Sequence, residues 1–115
     1  MKLPDEIPER LGNLALFLPE FDDSEGAWFK ADAMAVIESL KGTIVAVSEV
    51  VILNMAPGGY MPSGLTISMD RFPNEADSDY AERSRHLALD FIRNSETGNN
   101  QSLFVLTFPL WKEVA

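Results

Sequence analysis

A chain of 115 residues is long enough to bury a hydrophobic core without metal or disulfide support, so we expect a single domain over residues 1–115. The absence of cysteine excludes disulfides, thiolate nucleophiles and zinc sites built on sulfur. The formal net charge of −9 argues against nucleic acids and anionic membranes as partners, because both are bound through basic patches.

The first 26 residues form an acidic segment in which acids outnumber bases. Prolines at positions 4 and 8 suit the first turn of a helix, which predicts a short helix over residues 4–11 that extends toward Phe17. A strand over residues 14–18 is the alternative. Residues 20–26 are predicted to form an acidic loop that includes Asp22 and Asp23.

No apolar stretch of this sequence has the character of a secretory leader or the length of a membrane span, which needs about 18 apolar residues. The opening residues, Met1-Lys2-Leu3-Pro4-Asp5-Glu6, are mostly polar. We therefore expect a soluble protein of the cytoplasm.

A helix followed by a central strand is predicted next. Residues 27–41 lack internal glycine and proline and end before Gly42, a residue common just past the end of a helix. Trp28, at the start of this helix, is interpreted as a core anchor. Residues 43–53 are apolar on both alternating faces, which is typical of a strand covered on both sides.

Glu49 lies in the middle of this central strand, where an unpaired carboxylate is costly. Two interpretations follow. Either a bulge or bend at Ser48-Glu49 turns the side chain to water or toward Arg83 or Arg85, or Glu49 is a poised acid at a binding surface.

The remaining pattern predicts an edge strand over residues 65–70, a helix over 77–95 and a strand over 102–108. Residues 27–108 then form an α-β-β-α-β core behind the acidic segment 1–26. We expect an α+β fold with a small, mostly antiparallel three-stranded sheet packed with two or three helices. The twice-apolar strand should be central, which gives the order 2-1-3 for strands numbered along the chain.

Little in the sequence suits catalysis. His86 is the only histidine, so one chain cannot form a two-histidine metal site, and Glu82 and Asp90 are its ordinary helical neighbours. Gly58-Gly59 lacks the residues of a phosphate-binding loop. We predict neither an enzyme nor a cofactor, and we assign no metal site.

Residues 54–64 connect the first two predicted strands and combine turn residues with Met55, Tyr60 and Met61. Methionine and tyrosine are enriched at interfaces, and Pro57 and Pro62 reduce the cost of ordering a loop. This loop is interpreted as a contact surface, with packing on its own fold as the alternative.

Several short motifs resemble one protein family. They are the helix over 31–40, the strand with Ser48-Glu49-Val50, Phe72 after the second strand, Tyr80, Arg83-Ser84, Ala88 and Phe91-Ile92, and the final Leu103-Phe104-Val105-Leu106. Together they are similar to the immunity proteins of bacterial polymorphic toxin systems, most closely the family numbered forty. The resemblance covers roughly residues 28–108.

This resemblance implies a non-catalytic cytoplasmic protein that binds and neutralises a cognate protein toxin. The acidity points to a basic toxin, such as a nuclease. The predicted partner-binding residues are Asp22, Asp23, Glu49, Met55, Tyr60, Met61, Asp70 and Glu75. The alternative is a structural module that associates with its own copy, as a homodimer paired through its outer strand or an exposed apolar face.

Overall fold

A computed structural model describes residues 3–16, 25–95 and 102–109. These residues form an α+β fold with an antiparallel sheet of four strands in the order β1-β4-β2-β3. In chain order the elements are α1 (Glu9–Gly12), β1 (Glu25–Trp28), α2 (Lys30–Ser39), β2 (Glu49–Ala56), β3 (Gly59–Ser68), α3 (Asp77–Arg93) and β4 (Ser102–Thr107).

The main core lies between one face of the sheet and the helices. Alternate residues of the central strands, among them Ile52 of β2 and Phe104 of β4, pack with buried residues of α2 and α3 such as Val36 and Ile92. A smaller cluster occupies the opposite face and consists of Ala27, Leu53, Leu103 and Val105. Both faces of β2 and β4 are therefore apolar, as the sequence pattern of residues 43–53 predicted for a central strand.

The predicted order 2-1-3 is found within the sheet as β3-β2-β4, but the prediction of three strands is wrong. The fourth strand, β1, pairs with β4 and contains residues that had been assigned to the acidic loop and to the start of a helix. Trp28 is fully buried, as a core anchor should be, but it reaches the core from β1. A Cβ atom at Gly26 would lie 2.7 Å from its indole ring, so this strand needs a glycine there.

Residues 43–48 are not part of the strand predicted for them. Side chains of helix α3 bind residues 43–47, whereas Ser48 already makes backbone hydrogen bonds with Thr107 and Met69. Arg85 Nη1 donates hydrogen bonds to the carbonyl oxygens of Thr43 (2.9 Å) and Val45 (2.8 Å), and Ser84 Oγ accepts one from the backbone N–H of Val47 (3.1 Å). Because side chains satisfy these backbone groups, the segment needs no neighbouring strand, and β2 begins at Glu49.

The predicted loop 54–64 is largely strand. β2 continues to Ala56 and β3 begins at Gly59, so the turn itself is Pro57-Gly58, with Gly58 at φ +87°. The register shifts between Val51 and Leu53, and three residues of β3, Ser63, Gly64 and Leu65, lie opposite Ile52. Gly64 has φ +89°, a value that side chains disfavour, so this irregularity depends on glycine.

The two best-defined predictions are confirmed. The helix predicted over 77–95 is α3, Asp77–Arg93, and the strand predicted over 102–108 is β4, Ser102–Thr107. The helix predicted over 4–11 is shorter and later, at Glu9–Gly12, and Leu16 forms an isolated bridge with Ala27 in the region of the alternative strand. No helix in the described ranges combines the length and apolar character needed to cross a bilayer.

We expect Arg85→Met to destabilise the protein by about 2 kcal/mol or more, because it leaves two carbonyl groups without their donor. Arg93→Met is the matched control, since Arg93 lies at the exposed end of the same helix and, among the described residues, forms an ion pair with Asp90 alone (3.1 Å). It should cost less than about 1 kcal/mol. Urea unfolding of both variants measures the difference, and equal losses would contradict the role given to Arg85.

Candidate interaction surface

The structure does not gather the predicted partner-binding residues into one site. Met55 and Met61 lie beside the turn between β2 and β3, while Glu49 and Asp70 lie at the other end of this hairpin. Glu49 and Met55 are about 20 Å apart along an extended strand. Glu75 lies beyond Asp70, near the start of α3, and Asp22 and Asp23 lie outside the described residues.

The β2–β3 hairpin contains no charged residue from position 50 to position 69, although the chain carries a net charge of −9. We call residues 50–69 the uncharged hairpin. Met55 and Met61 are 58% and 56% exposed, Leu65 is also exposed, and β3 is one of the two outer strands of the described sheet. Centres of protein interfaces are depleted in charge and enriched in methionine, so this hairpin has the composition of a contact surface. The absence of charge over these 20 residues is a signal that the sequence itself contains.

Tyr60 has a different position from the two methionines. It is half-buried and packs against the cluster on the second face of the sheet, which contains Leu53 and Leu103. Its cross-strand partner is the exposed Met55. Tyr60 therefore supports the tip of the hairpin from one side. Met55 and Met61 are more exposed than Tyr60, so they offer more surface to a partner.

Glu49 is the first residue of β2 and not a mid-strand residue, because β2 starts later than predicted. The side chain is half-buried, and Ser68 Oγ donates a hydrogen bond to its Oε2 at 3.2 Å. The strand register also places Thr107 beside it, and the hydroxyl of Thr107 donates to Glu25 Oε2 (3.1 Å). The carboxylate of Glu49 is accommodated because it lies at the start of the strand and accepts a hydrogen bond from a hydroxyl group. Arg83 and Arg85 donate to other groups.

The connection between β3 and α3, residues 69–76, is organised by one ion pair. We call it the β3–α3 loop. Both carboxylate oxygens of Glu75 accept hydrogen bonds from Arg83, from Nε and Nη2, each at 2.8 Å. The backbone N–H of Phe72 donates to Glu75 Oε1 at 3.0 Å. The Arg83 hydrogen bonds, opposed by burial and assisted by the Phe72 N–H, lower the pKa of Glu75 to about 2.

Further contacts connect this loop to the elements on either side. Arg71 forms an ion pair with Asp77, and its guanidinium also donates to the carbonyl oxygen of Glu75. The hydroxyl of the buried Tyr80 donates to the carbonyl oxygen of Met69 at 2.5 Å, and burial raises the pKa of Tyr80. Side chains of α3 therefore hold the loop in place.

His86, the one histidine of the sequence, lies on the outer side of α3. Its side chain is largely exposed on α3, and its Nε2 atom lies 3.4 Å from Asp90 Oδ2, an ordinary neighbour one helical turn away. Across the described parts of the chain, no three side chains of histidine, aspartate or glutamate are grouped as a metal site would need.

We expect the pH dependence of stability to reveal the Glu75–Arg83 pair. The pKa of Glu75 is lower in the folded protein than the ordinary value of 4.5. Its contribution to stability is therefore complete above pH 4.5 and is lost as the pH falls toward about 2. An NMR titration of the Glu75 carboxyl should give this low value in the native protein and a value near 4.5 in Arg83→Gln. A native titration near 4.5 would contradict the ion pair.

Comparison with known proteins identifies the chain through its family. The family model described as immunity protein 40 matches residues 17–108, a range that contains β1 to β4, α2, α3, the uncharged hairpin and the β3–α3 loop. No curated protein and no solved structure resembles the chain closely enough to count as a match. Because the family model covers most of the chain, this protein belongs to the immunity protein 40 family.

Proposed function

We propose that this protein neutralises a cognate toxin of a bacterial polymorphic toxin system by binding it directly, without catalysis. The observation that carries the proposal is the match to immunity protein 40 over residues 17–108. Immunity proteins generally act by binding, for which a shaped surface and a few large anchors are sufficient. We place this activity in the cytoplasm.

The uncharged hairpin is the surface that we assign to the toxin. Its exposed methionines can adapt to an irregular apolar surface because the side chain is flexible and polarisable. The two-residue turn and the antiparallel pairing to Ala56 and Gly59 hold both side chains on ordered strands. Little conformational entropy is then lost on binding, which leaves more of the contact energy for affinity.

Acidic residues border this surface and suggest a basic toxin. Glu49 and Asp70 lie at the base of the hairpin, and Asp22 and Asp23 belong to the acidic N-terminal segment. Such charges steer a basic partner during encounter. The carboxylate of Glu75 is already engaged by Arg83, so its part in this scheme is to position the β3–α3 loop.

The decisive measurement is the affinity for the toxin encoded in the adjacent reading frame. We expect the double variant Met55→Ser/Met61→Ser to raise the Kd at least about tenfold, because it removes two apolar anchors. Its Tm should change little, since both side chains are exposed. Ile44→Ser, which removes an exposed apolar side chain outside the hairpin, is the control and should leave the Kd unchanged. Native affinity in the double variant would contradict the assignment of the hairpin.

Self-association through β3 is the second candidate, and the edge position of this strand is the observation that favours it. Pro62 lacks a backbone donor, and the irregularity at residues 63–65 interrupts the strand; both features discourage pairing with another edge.

We therefore expect sedimentation velocity to show a monomer over a wide range of concentrations. Pro62→Thr, which restores a backbone donor, should increase self-association. A stable native dimer without affinity for the adjacent toxin would favour the second candidate over the first.

A further inference from the structure

Phe72 is a large aromatic side chain that the fold leaves open to solvent. It lies in the β3–α3 loop, outside the uncharged hairpin, and is 58% exposed. An exposed aromatic residue in a mobile loop would need no explanation. Phe72, however, is held in place by contacts with its backbone and with its ring.

The backbone of Phe72 is fixed by a tight turn. The N–H of Glu75 donates to the carbonyl oxygen of Phe72 at 3.1 Å, so residues 72–75 form a turn with Pro73 and Asn74 at its centre. Asn74 has φ +68°, and proline followed by a residue of positive φ is the pattern of a type II turn. The N–H of Phe72 donates to the carboxylate of the same Glu75 at 3.0 Å. Both backbone hydrogen-bonding groups of Phe72 are thus satisfied within the turn.

The ring of Phe72 is fixed by Arg83. The guanidinium carbon of Arg83 lies 3.9 Å from the centre of the ring, which is close cation–π stacking. Arg83 is itself held by both oxygens of Glu75 and by the carbonyl oxygen of Asp70 at 2.7 Å. The guanidinium therefore covers part of the ring while much of the side chain remains accessible.

The charges near Phe72 indicate the charge of the partner surface that would surround its ring. The guanidinium groups of Arg71 and Arg83 are each engaged by a carboxylate within the loop or the first turn of α3. Asp70, two residues before Phe72, is exposed, as is Asp79 in the first turn of α3, and no ion pair among the described residues includes either of them. The uncompensated charge around Phe72 is negative, so a basic surface is complementary to it.

We propose that Phe72 is a second anchor for the toxin and enters an apolar pocket rimmed by lysine or arginine side chains. This inference rests on the proposed function and adds a contact outside the uncharged hairpin. Aromatic side chains that are rigid before binding are effective anchors, because their area is buried with little loss of rotamer freedom. The turn and the stacked guanidinium supply that rigidity.

The first test compares Phe72→Ala with Leu14→Ala, which removes a side chain of similar exposure, 52%, in another part of the chain. Calorimetry with the toxin from the adjacent reading frame should show a 10- to 30-fold rise in Kd, roughly, for Phe72→Ala and less than about a twofold change for the control. A native Kd for Phe72→Ala, with or without a lowered Tm, would overturn the proposal and leave the ring a structural role. A native protein without affinity for the toxin would overturn the proposed function itself.

A second measurement does not depend on the stability of the alanine variant. In Phe72→Trp, the added indole should shift its fluorescence emission to shorter wavelength when the toxin binds, because it enters an apolar pocket. The native protein provides the reference, since it contains the same two other tryptophans, Trp111 and the buried Trp28, and any shift that it shows on binding is subtracted. If the variant binds the toxin and the added emission does not shift, position 72 remains in water in the complex and the proposal fails.

Discussion

The guanidinium of Arg85 binds the segment that leads into the hairpin, residues 43–47, to helix α3. Arg85 is buried, which lowers the pKa of the guanidinium, and its hydrogen bonds go to two backbone carbonyl groups. Since those residues cannot join the sheet, β2 starts at Glu49 and extends to Ala56. At the far end of this strand pair, beside the turn, the side chains of Met55 and Met61 are exposed to solvent. Glu49 is therefore the first residue of the strand and not a residue in its middle, and Ser68 provides it with a hydrogen-bond donor.

Much of the fold was predictable from local patterns. The spacing of apolar residues located α3, and the run of apolar residues located β4 and identified β2 as central. The predictions that were wrong concern segments whose structure is determined by contacts with residues distant in the sequence. Residues 43–47 have the composition of a strand, but α3 supplies hydrogen bonds to them from more than 30 positions away in the sequence. Residues 25–28 form a strand because β4 is available to pair with them and because Gly26 leaves space for the indole of Trp28.

The candidate surface was predictable in its residue types but not in its arrangement. The methionines of the hairpin could be selected because flexible apolar side chains are unusual in a turn. The separation of Glu49 and Asp70 from Met55 follows from strand length and register, which composition does not determine. Phe72 was noted only as part of a family resemblance. Its rigidity comes from Arg83 and Glu75, whose pairing across eight positions joins a loop to a helix and could not be read from helical spacing.

In the proposed complex, the uncharged hairpin and the acids at its base would act in different kinetic phases, association and separation. Long-range attraction from the acidic groups accelerates encounter with a basic protein and weakens as salt is added, because exposed charges are screened beyond about 8–10 Å. Separation from the hairpin would depend mainly on its short-range apolar contacts, which contain no charge to screen. An increase in ionic strength should therefore slow association and leave the lifetime of the bound state largely unchanged. Such a complex would persist through large changes in the salt content of the cell.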